Sequence, residues 1–394
     1  MKNKITFVIP SRNNLEFLQL AYKSIRNLNT KHEILVLDDA STDGTQEWID
    51  SLNDKDLITH HNPGPERIGI VGMFDKGIEM ARTEIIFAFH ADMIAAPNLD
   101  ENILKHLKKG TVVTATRVEP PLHPEGPEKI VKNFGIEPEE FDQGEWDLWC
   151  ETQLDNLKIT EGIFAPWCMY KEDFLAVGGH DELFAPQSKE DSDLFNRFFL
   201  KGYKFIQPWN ALVYHFTSRG SRFNKHAGGA AGKNSNEWLY TTTKNMRNFI
   251  RKWGTMVKHD PLMKPIVIPK YDIGFIVKNS SKELLHILEP WCNIIYINPD
   301  LIESYINNEK ANTTIDLYKK IKPYDNEKNN EILVEIDGTK FVQQDFKYIQ
   351  QLPEIINSST FLEEDMGEQF VVGNLELTIY KTNTYEKNLI ICES

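Results

Sequence analysis

Short apolar runs alternate with helical patterns from residue 5 to residue 118 of the chain. The predicted strands are Ile5–Ile9, Glu33–Leu37, Leu57–His61, Ile85–Phe89 and Thr111–Val118. The predicted helices between them are 15–28, Thr45–Leu52 and Ile70–Met80, where apolar residues recur every three or four positions. Strands and helices in alternation predict an α/β fold with a mostly parallel sheet and flanking helices.

The chain of 394 residues is too long for one ordinary core, which predicts two domains. The segment Pro261–Pro269 has little periodicity and is a candidate boundary. Beyond it, four strands are predicted at Asp272–Lys278, Asn293–Ile297, Glu331–Ile336 and Glu376–Tyr380. Helical patterns separate them at Lys282–Leu288, Pro299–Asn307 and Asp345–Gln351. We therefore predict a first domain over residues 1–260 and a smaller α/β domain over 265–394, for acceptor binding or oligomerisation.

Charge and composition exclude some partners. The net charge of −14 disfavours nucleic acid, whose phosphates would be repelled. No apolar run reaches the roughly 20 residues of a membrane span, and Met1 leads directly into a strand without a signal-like segment. The four cysteines are widely spaced and lack metal-finger spacing, so reduced thiols and a cytoplasmic location are expected.

Polar clusters follow three of the predicted strands. They are Pro10, Ser11, Arg12 and Asn13 after the first strand, Asp38 and Asp39 after the second, and His90, Ala91 and Asp92 after the fourth. In open α/β sheets ligands bind at this edge, and a buried carboxylate there can accept a hydrogen bond from a pyrimidine N3–H. Taken alone, the pair of aspartates also fits an ordinary strand-to-helix turn.

The segments Phe7–Asn13 and Leu37–Thr45 resemble the opening motifs of the family 2 glycosyltransferases. Those motifs are a hydrophobic strand with Pro-Ser/Thr-Tyr/Arg-Asn, followed by Val-Asp-Asp-Gly-Ser-Thr-Asp-Gly-Thr. The resemblance implies a GT-A fold and a nucleotide-diphosphate sugar donor. It assigns reading of the base to Asp39 and framing of the base to Pro10–Arg12.

Members of this family carry Asp-x-Asp after the fourth strand and a proline five residues after the second Asp. The matching residues are His90, Asp92 and Pro97. The resemblance implies that Asp92 binds the metal, whereas His90 departs from the pattern. A histidine here can hydrogen-bond a ribose, ligate a transition metal, or be a polar strand end without a ligand. A carboxylate with an imidazole favours Mn²⁺ over Mg²⁺.

The segments 177–184 and 189–197 resemble the acceptor-side signature of the same family, Gly-Gly-Phe-Asp-Glu followed by Glu-Asp-x-Asp-Leu-x-x-Arg. An acidic cluster that opens a helix is favoured by the helix dipole, and that is also its plain structural interpretation. The resemblance implies that Asp191 is the general base and that Glu190 shapes the acceptor pocket or tunes the base.

A histidine after the next strand commonly completes the family's metal site or contacts the diphosphate, which assigns His215 as a second metal ligand. The basic, Gly-rich stretch 218–233 follows. Its Arg219 and Arg222 are predicted to close over the diphosphate, and the alternative is a solvated loop. Arg67 completes the predicted donor-binding set.

The predicted function is transfer, with inversion, of a sugar from a UDP- or dTDP-sugar to a hydroxyl of a glycan, lipid or protein, with Mn²⁺ or Mg²⁺. Two alternatives stay open. One is an inactive nucleotide-sugar-binding protein, suggested by His90. The other is a nucleotidyltransferase, against which stands the lack of a basic Gly-rich signature near Pro10. Trp146, Trp149 and Trp167 are candidate acceptor surfaces, although the core is the preferred interpretation for each.

Overall fold

A computed structural model describes residues 4–360 and 365–392, and the chain divides into two compact units. Within the described residues, unit one comprises 4–242, 259–266 and 391–392, and unit two comprises 243–258 and 267–390 with the gap at 361–364. The boundary between them falls inside one helix, Asn236–Trp253. The two domains predicted from the sequence, and their roles, stay predictions.

Unit one has strands from both halves of its sequence. In chain order they are β1 Ile5–Ser11, β2 Glu33–Asp39, β3 Leu57–Asn62, β4 Ile85–Ala88, β5 Met93–Ala95, β6 Thr111–Thr114, β7 Thr116–Glu119, β8 Ile130–Val131, β9 Ile159–Thr160, β10 Trp167–Tyr170, β11 Lys204–Pro208 and β12 Leu212–His215. The helices are α1 Leu15–Arg26, α2 Thr45–Ser51, α3 Ile70–Met80, α4 Leu99–Leu104, α5 Gln143–Glu151, α6 Lys171–Leu175, α7 Glu190–Lys201 and α8 Asn236–Trp253, the helix that contains the boundary.

Two sheets organise this unit. The larger has eight strands in the order β3-β2-β1-β4-β10-β6-β11-β9, in which β10 and β9 run antiparallel to their neighbours and the other pairs are parallel. The smaller has the order β5-β12-β7-β8. The predicted α/β class with a mostly parallel sheet is confirmed.

The single strand predicted over Thr111–Val118 is wrong. The chain forms β6 in the large sheet, passes through Ala115, and continues as β7 in the small sheet. The Ala115 N–H donates to the carbonyl of Pro166, and the Thr116 N–H donates to that of Ala211, so the two strands pair with different neighbours. This change of sheet brings Glu119, the last residue of β7, beside β12.

The strand core explains why the polar clusters share one edge. Strands β1, β2 and β4 are buried along nearly their whole length, as expected of parallel strands covered on both faces. Their register pairs Ser11 with Asp38 and Val8 with Ala88, so all three end at the same edge. Trp146 and Trp167 are fully buried in this unit, in agreement with the preferred core interpretation.

Unit two is a smaller α/β unit. Its strands are β13 Ile273–Lys278, β14 Ile294–Ile297, β15 Ile321–Pro323, β16 Ile332–Asp337, β17 Gln369–Val372 and β18 Leu375–Ile379. Its further helices are α9 Lys282–Leu288, α10 Pro299–Glu309, α11 Leu317–Lys320 and α12 Gln343–Ser358. The sheet order is β15-β14-β13-β16-β18-β17, parallel from β15 to β16 and antiparallel after it. The short strands β15 and β17 carry too few residues to show a periodicity and were not predicted.

Lys270 makes the stability of unit two depend on pH. Its ammonium donates to the carbonyl oxygens of Lys252 and Arg251 at the end of α8. Burial, together with Lys320 and Lys252 nearby, lowers the pKa of Lys270 from 10.5 to about 7. Between these values the unfolded chain holds the proton more tightly than the folded one, so the free energy of unfolding rises with pH, by up to about 1.4 kcal/mol per pH unit.

We expect Lys270→Met to flatten this rise between pH 7 and pH 9, measured by urea denaturation followed by circular dichroism. Lys282→Met, at an exposed lysine of the same unit, is the matched control and should keep the wild-type slope. Equal slopes in wild type and Lys270→Met would show that Lys270 is protonated in the folded state throughout this range.

Among residues 4–360 and 365–392, no helix combines the length and the apolar character needed to cross a membrane.

Candidate active site

A cavity of about 330 Å³ opens in unit one at the edge where β1, β2 and β4 end. Most of the predicted site residues line it. They are Pro10, Ser11, Arg12, Asp39, Arg67, His90, Ala91, Asp92, Glu190, Asp191 and His215. The lining thus combines groups from both halves of the unit.

Three lining side chains form a candidate metal centre. His90, Asp92 and His215 each offer a ligand atom, and these atoms lie within 4.8 Å of one another. The cluster forms because β12 runs antiparallel to β5 with His215 opposite Met93, next to Asp92. Two imidazoles and one carboxylate suit a first-row transition ion such as Mn²⁺. The donor set therefore fits a divalent cation, and it includes His90.

The charges of this cluster are set by its surroundings. Burial lowers the pKa of His90, which favours the neutral imidazole that can ligate a metal. Burial alone would also lower the pKa of His215, but the carboxylates of Asp92 and Glu119 outweigh it and raise that pKa to about 9. Burial alone would raise the pKa of Asp92, yet His215, His90 and the Arg219 N–H hold it well below its usual range. The surroundings of the cluster therefore stabilise a positively charged group next to the Asp92 carboxylate.

The two acidic residues that open α7 face the same cavity. Glu190 is largely buried, and its Oε2 has no hydrogen-bond partner among the described residues. Burial and the neighbouring Asp191 carboxylate raise the pKa of Glu190 to about 8. Ser188 and Lys189, just before the helix, both have φ near +75°, a conformation that is costly for residues other than glycine. The backbone therefore adopts an energetically costly turn just before α7.

Asp39 fixes one wall of the cavity through a loop. Its carboxylate accepts hydrogen bonds from Asn62 Nδ2 at 2.7 Å and from the N–H groups of Ile68 and Gly69 at 2.8 Å. Gly69 has φ of 91°, and a Cβ there would lie 2.5 Å from Pro186, so the position requires glycine. Three of the roughly four lone-pair positions of the Asp39 carboxylate are therefore already used.

The same end of the cavity is rich in hydrogen-bond donors. Ser11 Oγ, Arg12 Nε and Arg67 Nε are buried and have no hydrogen-bond partner in the described part of the chain. Arg67 Nη1 donates to Glu237, and Arg12 Nη1 lies 3.8 Å from the same carboxylate oxygen. Donors without acceptors in a buried pocket favour a ligand that supplies acceptor oxygens.

Two predicted donor-binding residues lie outside the cavity lining, beside it. Asp38 is fully buried and its Oδ2 lies 2.9 Å from His61 Nδ1. Asn13 has φ of 49°, and its side-chain oxygen accepts from the Thr42 N–H at 2.7 Å. Both side chains hold the strand-to-helix turns together, and this geometry does not favour their predicted contact with a donor.

Arg219 and Arg222 also lie outside the lining. The Arg219 N–H donates to Asp92 Oδ2 at 2.6 Å, while its guanidinium donates to the carbonyls of Phe216 and Ile136. The Arg222 guanidinium lies 4.8 Å from the ring centre of Trp238, which does line the cavity. Arg219 therefore contacts the cluster through its backbone N–H and Arg222 packs behind Trp238, and neither residue lines the cavity.

Several lining residues were not identified from the sequence. Arg117 and Glu119 come from β7, and Trp238 comes from the start of α8, next to Glu237, which accepts a hydrogen bond from Arg67. Glu119 gives no sequence signal of a role at the site because His215, its partner there, is 96 positions away. Glu237 and Trp238 occupy the first turn of α8, where an acidic or aromatic residue is ordinary.

Residues 6–171 match the family described as Glycosyl transferase family 2. An undecaprenyl-phosphate mannosyltransferase of Micrococcus luteus is 26% identical over 121 residues, which are 30% of this chain and 49% of the relative. The chain thus spans about half the length of this curated relative.

Solved structures give weaker similarities. The mannosyltransferase PcManGT of Pyrobaculum calidifontis, solved with GDP-Man and Mn²⁺, is 19% identical with a TM-score of 0.43, over 67% of this chain and 68% of that one. The TarS 1–349 structure from S. aureus is 13% identical with a TM-score of 0.39, over 63% and 65%.

The matched range contains β1, β2 and β4 with the cluster 90–92, and it ends before Glu190, Asp191 and His215. The roles of these three residues therefore rest on geometry and on the motif resemblance. Residues 6–171, less than half of the chain, are thus similar to a glycosyl transferase family 2 domain.

Proposed function

We propose that unit one transfers a sugar from a nucleotide-diphosphate donor to an acceptor hydroxyl. The observation that carries the proposal is one cavity lined both by the His90–Asp92–His215 cluster and by the Glu190–Asp191 pair. The first can hold the cation that a diphosphate leaving group requires, and the second can take the proton of the acceptor. The family match and the mannosyltransferase relative support glycosyl transfer as the reaction class.

The donor is a UDP- or dTDP-sugar in this proposal. Uracil and thymine present two acceptor oxygens, O2 and O4, around a single N3–H donor. That pattern is complementary to the end of the cavity where Ser11, Arg12 and Arg67 carry donors without partners. One lone pair of the Asp39 carboxylate is open there to accept from N3–H. Adenine and cytosine add an amino donor, which this end has little capacity to accept.

The reaction is a single displacement that inverts the anomeric centre. The acceptor oxygen bonds to the anomeric carbon as the bond from that carbon to the diphosphate oxygen breaks, and the acceptor proton passes to Asp191. A divalent cation, Mn²⁺ or Mg²⁺, held by His90, Asp92 and His215 would offset the charge of the departing diphosphate. Glu190 borders the acceptor position, where its protonated form donates a hydrogen bond. The acceptor hydroxyl belongs to a glycan, a lipid or a protein.

A thermal-shift comparison of UDP, TDP, GDP, CDP and ADP, each with and without Mn²⁺, tests the donor proposal. A ligand present at about 100 times its Kd stabilises the folded state by about 2.7 kcal/mol. We expect UDP or TDP to raise Tm more than the other nucleotides, and Mn²⁺ to enlarge that shift.

Release of free sugar from UDP- and dTDP-sugars then separates turnover from binding. Selective stabilisation without any turnover would favour an inactive binding protein. Pyrophosphate released from a nucleoside triphosphate would point to nucleotidyl transfer. Stabilisation by purine nucleotides alone would contradict the pyrimidine assignment.

A further inference from the structure

We propose that Glu119 is a positioning residue that holds the His215 ring so that Nε2 faces Asp92 and the cation. This inference rests on the metal site of the proposed function. Glu119 was not among the residues predicted from the sequence, and it reaches the site only because the chain changes sheets at Ala115.

The geometry fixes which nitrogen of His215 is free. Its Nδ1 lies 2.8 Å from Glu119 Oε1, and its Nε2 lies 3.6 Å from Asp92 Oδ2. A carboxylate that accepts from Nδ1–H leaves Nε2 to carry the lone pair a cation needs. Histidine ligands are commonly oriented by a carboxylate in this way. Without Glu119, the ring could turn and present either nitrogen to either neighbour.

Glu119 itself is rigidly held. Its side chain is 1% exposed, Oε1 also accepts from Arg117 Nη1 at 2.9 Å, and Oε2 accepts from Lys129 Nζ at 2.8 Å. Arg117 is fixed in turn by the Phe164 ring, whose centre lies 3.7 Å from its guanidinium carbon. Arg117 thus holds the same carboxylate oxygen that faces His215, so this oxygen can orient the imidazole, whereas Lys129 holds the other oxygen.

Arg117 and Lys129, the two cationic partners of Glu119, allow a positioning role of Glu119 to be distinguished from a purely structural one. Lys129 belongs to the same buried cluster but bonds to the oxygen that does not contact His215. Removing Lys129 disturbs the cluster and leaves the contact between Glu119 and His215 in place. Lys129→Met is therefore a matched control for Glu119→Gln.

The experiment measures Mn²⁺ affinity in the presence of UDP by electron paramagnetic resonance titration of the full chain, together with UDP affinity in EDTA and Tm. In Glu119→Gln the amide can present its NH₂ to Nδ1, so we expect Mn²⁺ affinity to fall by roughly 10- to 100-fold. Glu119→Asp, which keeps a carboxylate, should recover part of the loss and also serves if Glu119→Gln does not fold. UDP affinity in EDTA should stay unchanged in both variants.

The outcomes separate the two proposals. Wild-type affinity in Glu119→Gln would overturn the positioning role while leaving the metal site standing. Equal losses in Glu119→Gln and Lys129→Met would also overturn it, since the cluster would then act only through the fold. Failure of the wild-type chain to bind Mn²⁺ with UDP would overturn the metal site itself and, with it, this inference.

Discussion

Asp191→Asn is expected to lower kcat for sugar transfer by roughly two to four orders of magnitude, with donor affinity near the wild-type value. The amide has almost the same shape as the carboxylate but cannot take the acceptor proton. Glu190 is not expected to replace it, because burial, the largest cause of the raised pKa of Glu190, persists when the Asp191 charge is removed. The measurement is steady-state transfer with the best donor of the nucleotide comparison, beside donor affinity by calorimetry.

Asp50→Asn is the control, because Asp50 lies exposed on α2 and bonds only to Gln46 among the contacts of the described residues. It should leave kcat and donor affinity unchanged. Turnover close to wild type in Asp191→Asn would remove Asp191 as the base. A parallel loss of donor affinity would instead place its main effect in substrate binding.

The second large effect is expected for Asp92→Asn. The amide oxygen can still accept the Arg219 N–H, now 2.6 Å from Oδ2, so the local backbone has its partner. The negative charge beside His90 and His215 is lost, however, and an amide is a much poorer ligand for a divalent cation. Mn²⁺ affinity and metal-dependent turnover should each fall by roughly 100-fold or more.

A matched control exists in the same unit. Asp100 Oδ2 lies 2.8 Å from His32 Nε2 in a second buried carboxylate–imidazole pair, whose residues do not line the cavity. Asp100→Asn should lower Tm and leave Mn²⁺ affinity intact. Asp92→Asn should lower Mn²⁺ affinity and leave Tm near the wild-type value. Unchanged Mn²⁺ affinity in Asp92→Asn would exclude this carboxylate as a ligand.

Much of the fold follows from sequence periodicity. The pattern predicted α3 and α9 with the bounds that the structure has, and it predicted that β1, β2 and β4 deliver polar groups to one edge. These features depend on local apolar spacing and on a general property of parallel sheets. They need no knowledge of which distant segments pair.

Features that depend on distant pairing were not predictable. Nothing in Thr111–Val118 marks Ala115 as the residue where the chain leaves one sheet for another, because the partners at Pro166 and Ala211 are far along the chain. The antiparallel pairing of β5 with β12, which brings His215 to Asp92, is of the same kind. The candidate metal centre is therefore visible in the sequence as residues and becomes a cluster only in the fold.

Side-chain direction is a further limit. Asp38 and Asp39 are neighbours on one strand, so they point to opposite faces, and only Asp39 lines the cavity. The family motif assigns reading of the base to Asp39, the member that lines the cavity, whereas spacing alone treats the two residues equally. Arg219 and Arg222 show the same limit in a loop, where the composition indicates cations and leaves their direction open.

The change of sheet at Ala115 also bears on how the site is made during translation. Asp92 and Arg219 are 127 positions apart, and Glu119 and His215 are 96 apart, so contacts that complete the metal centre join early and late parts of the nascent chain. Strands β1, β2 and β4 are synthesised first and can pair while β12 is still inside the ribosome. A nascent chain that ends before β12 would contain the donor-rich end of the cavity, with Ser11, Arg12 and Arg67, but would lack His215. The metal centre can therefore form only after unit one has been synthesised through β12, the last strand given for it.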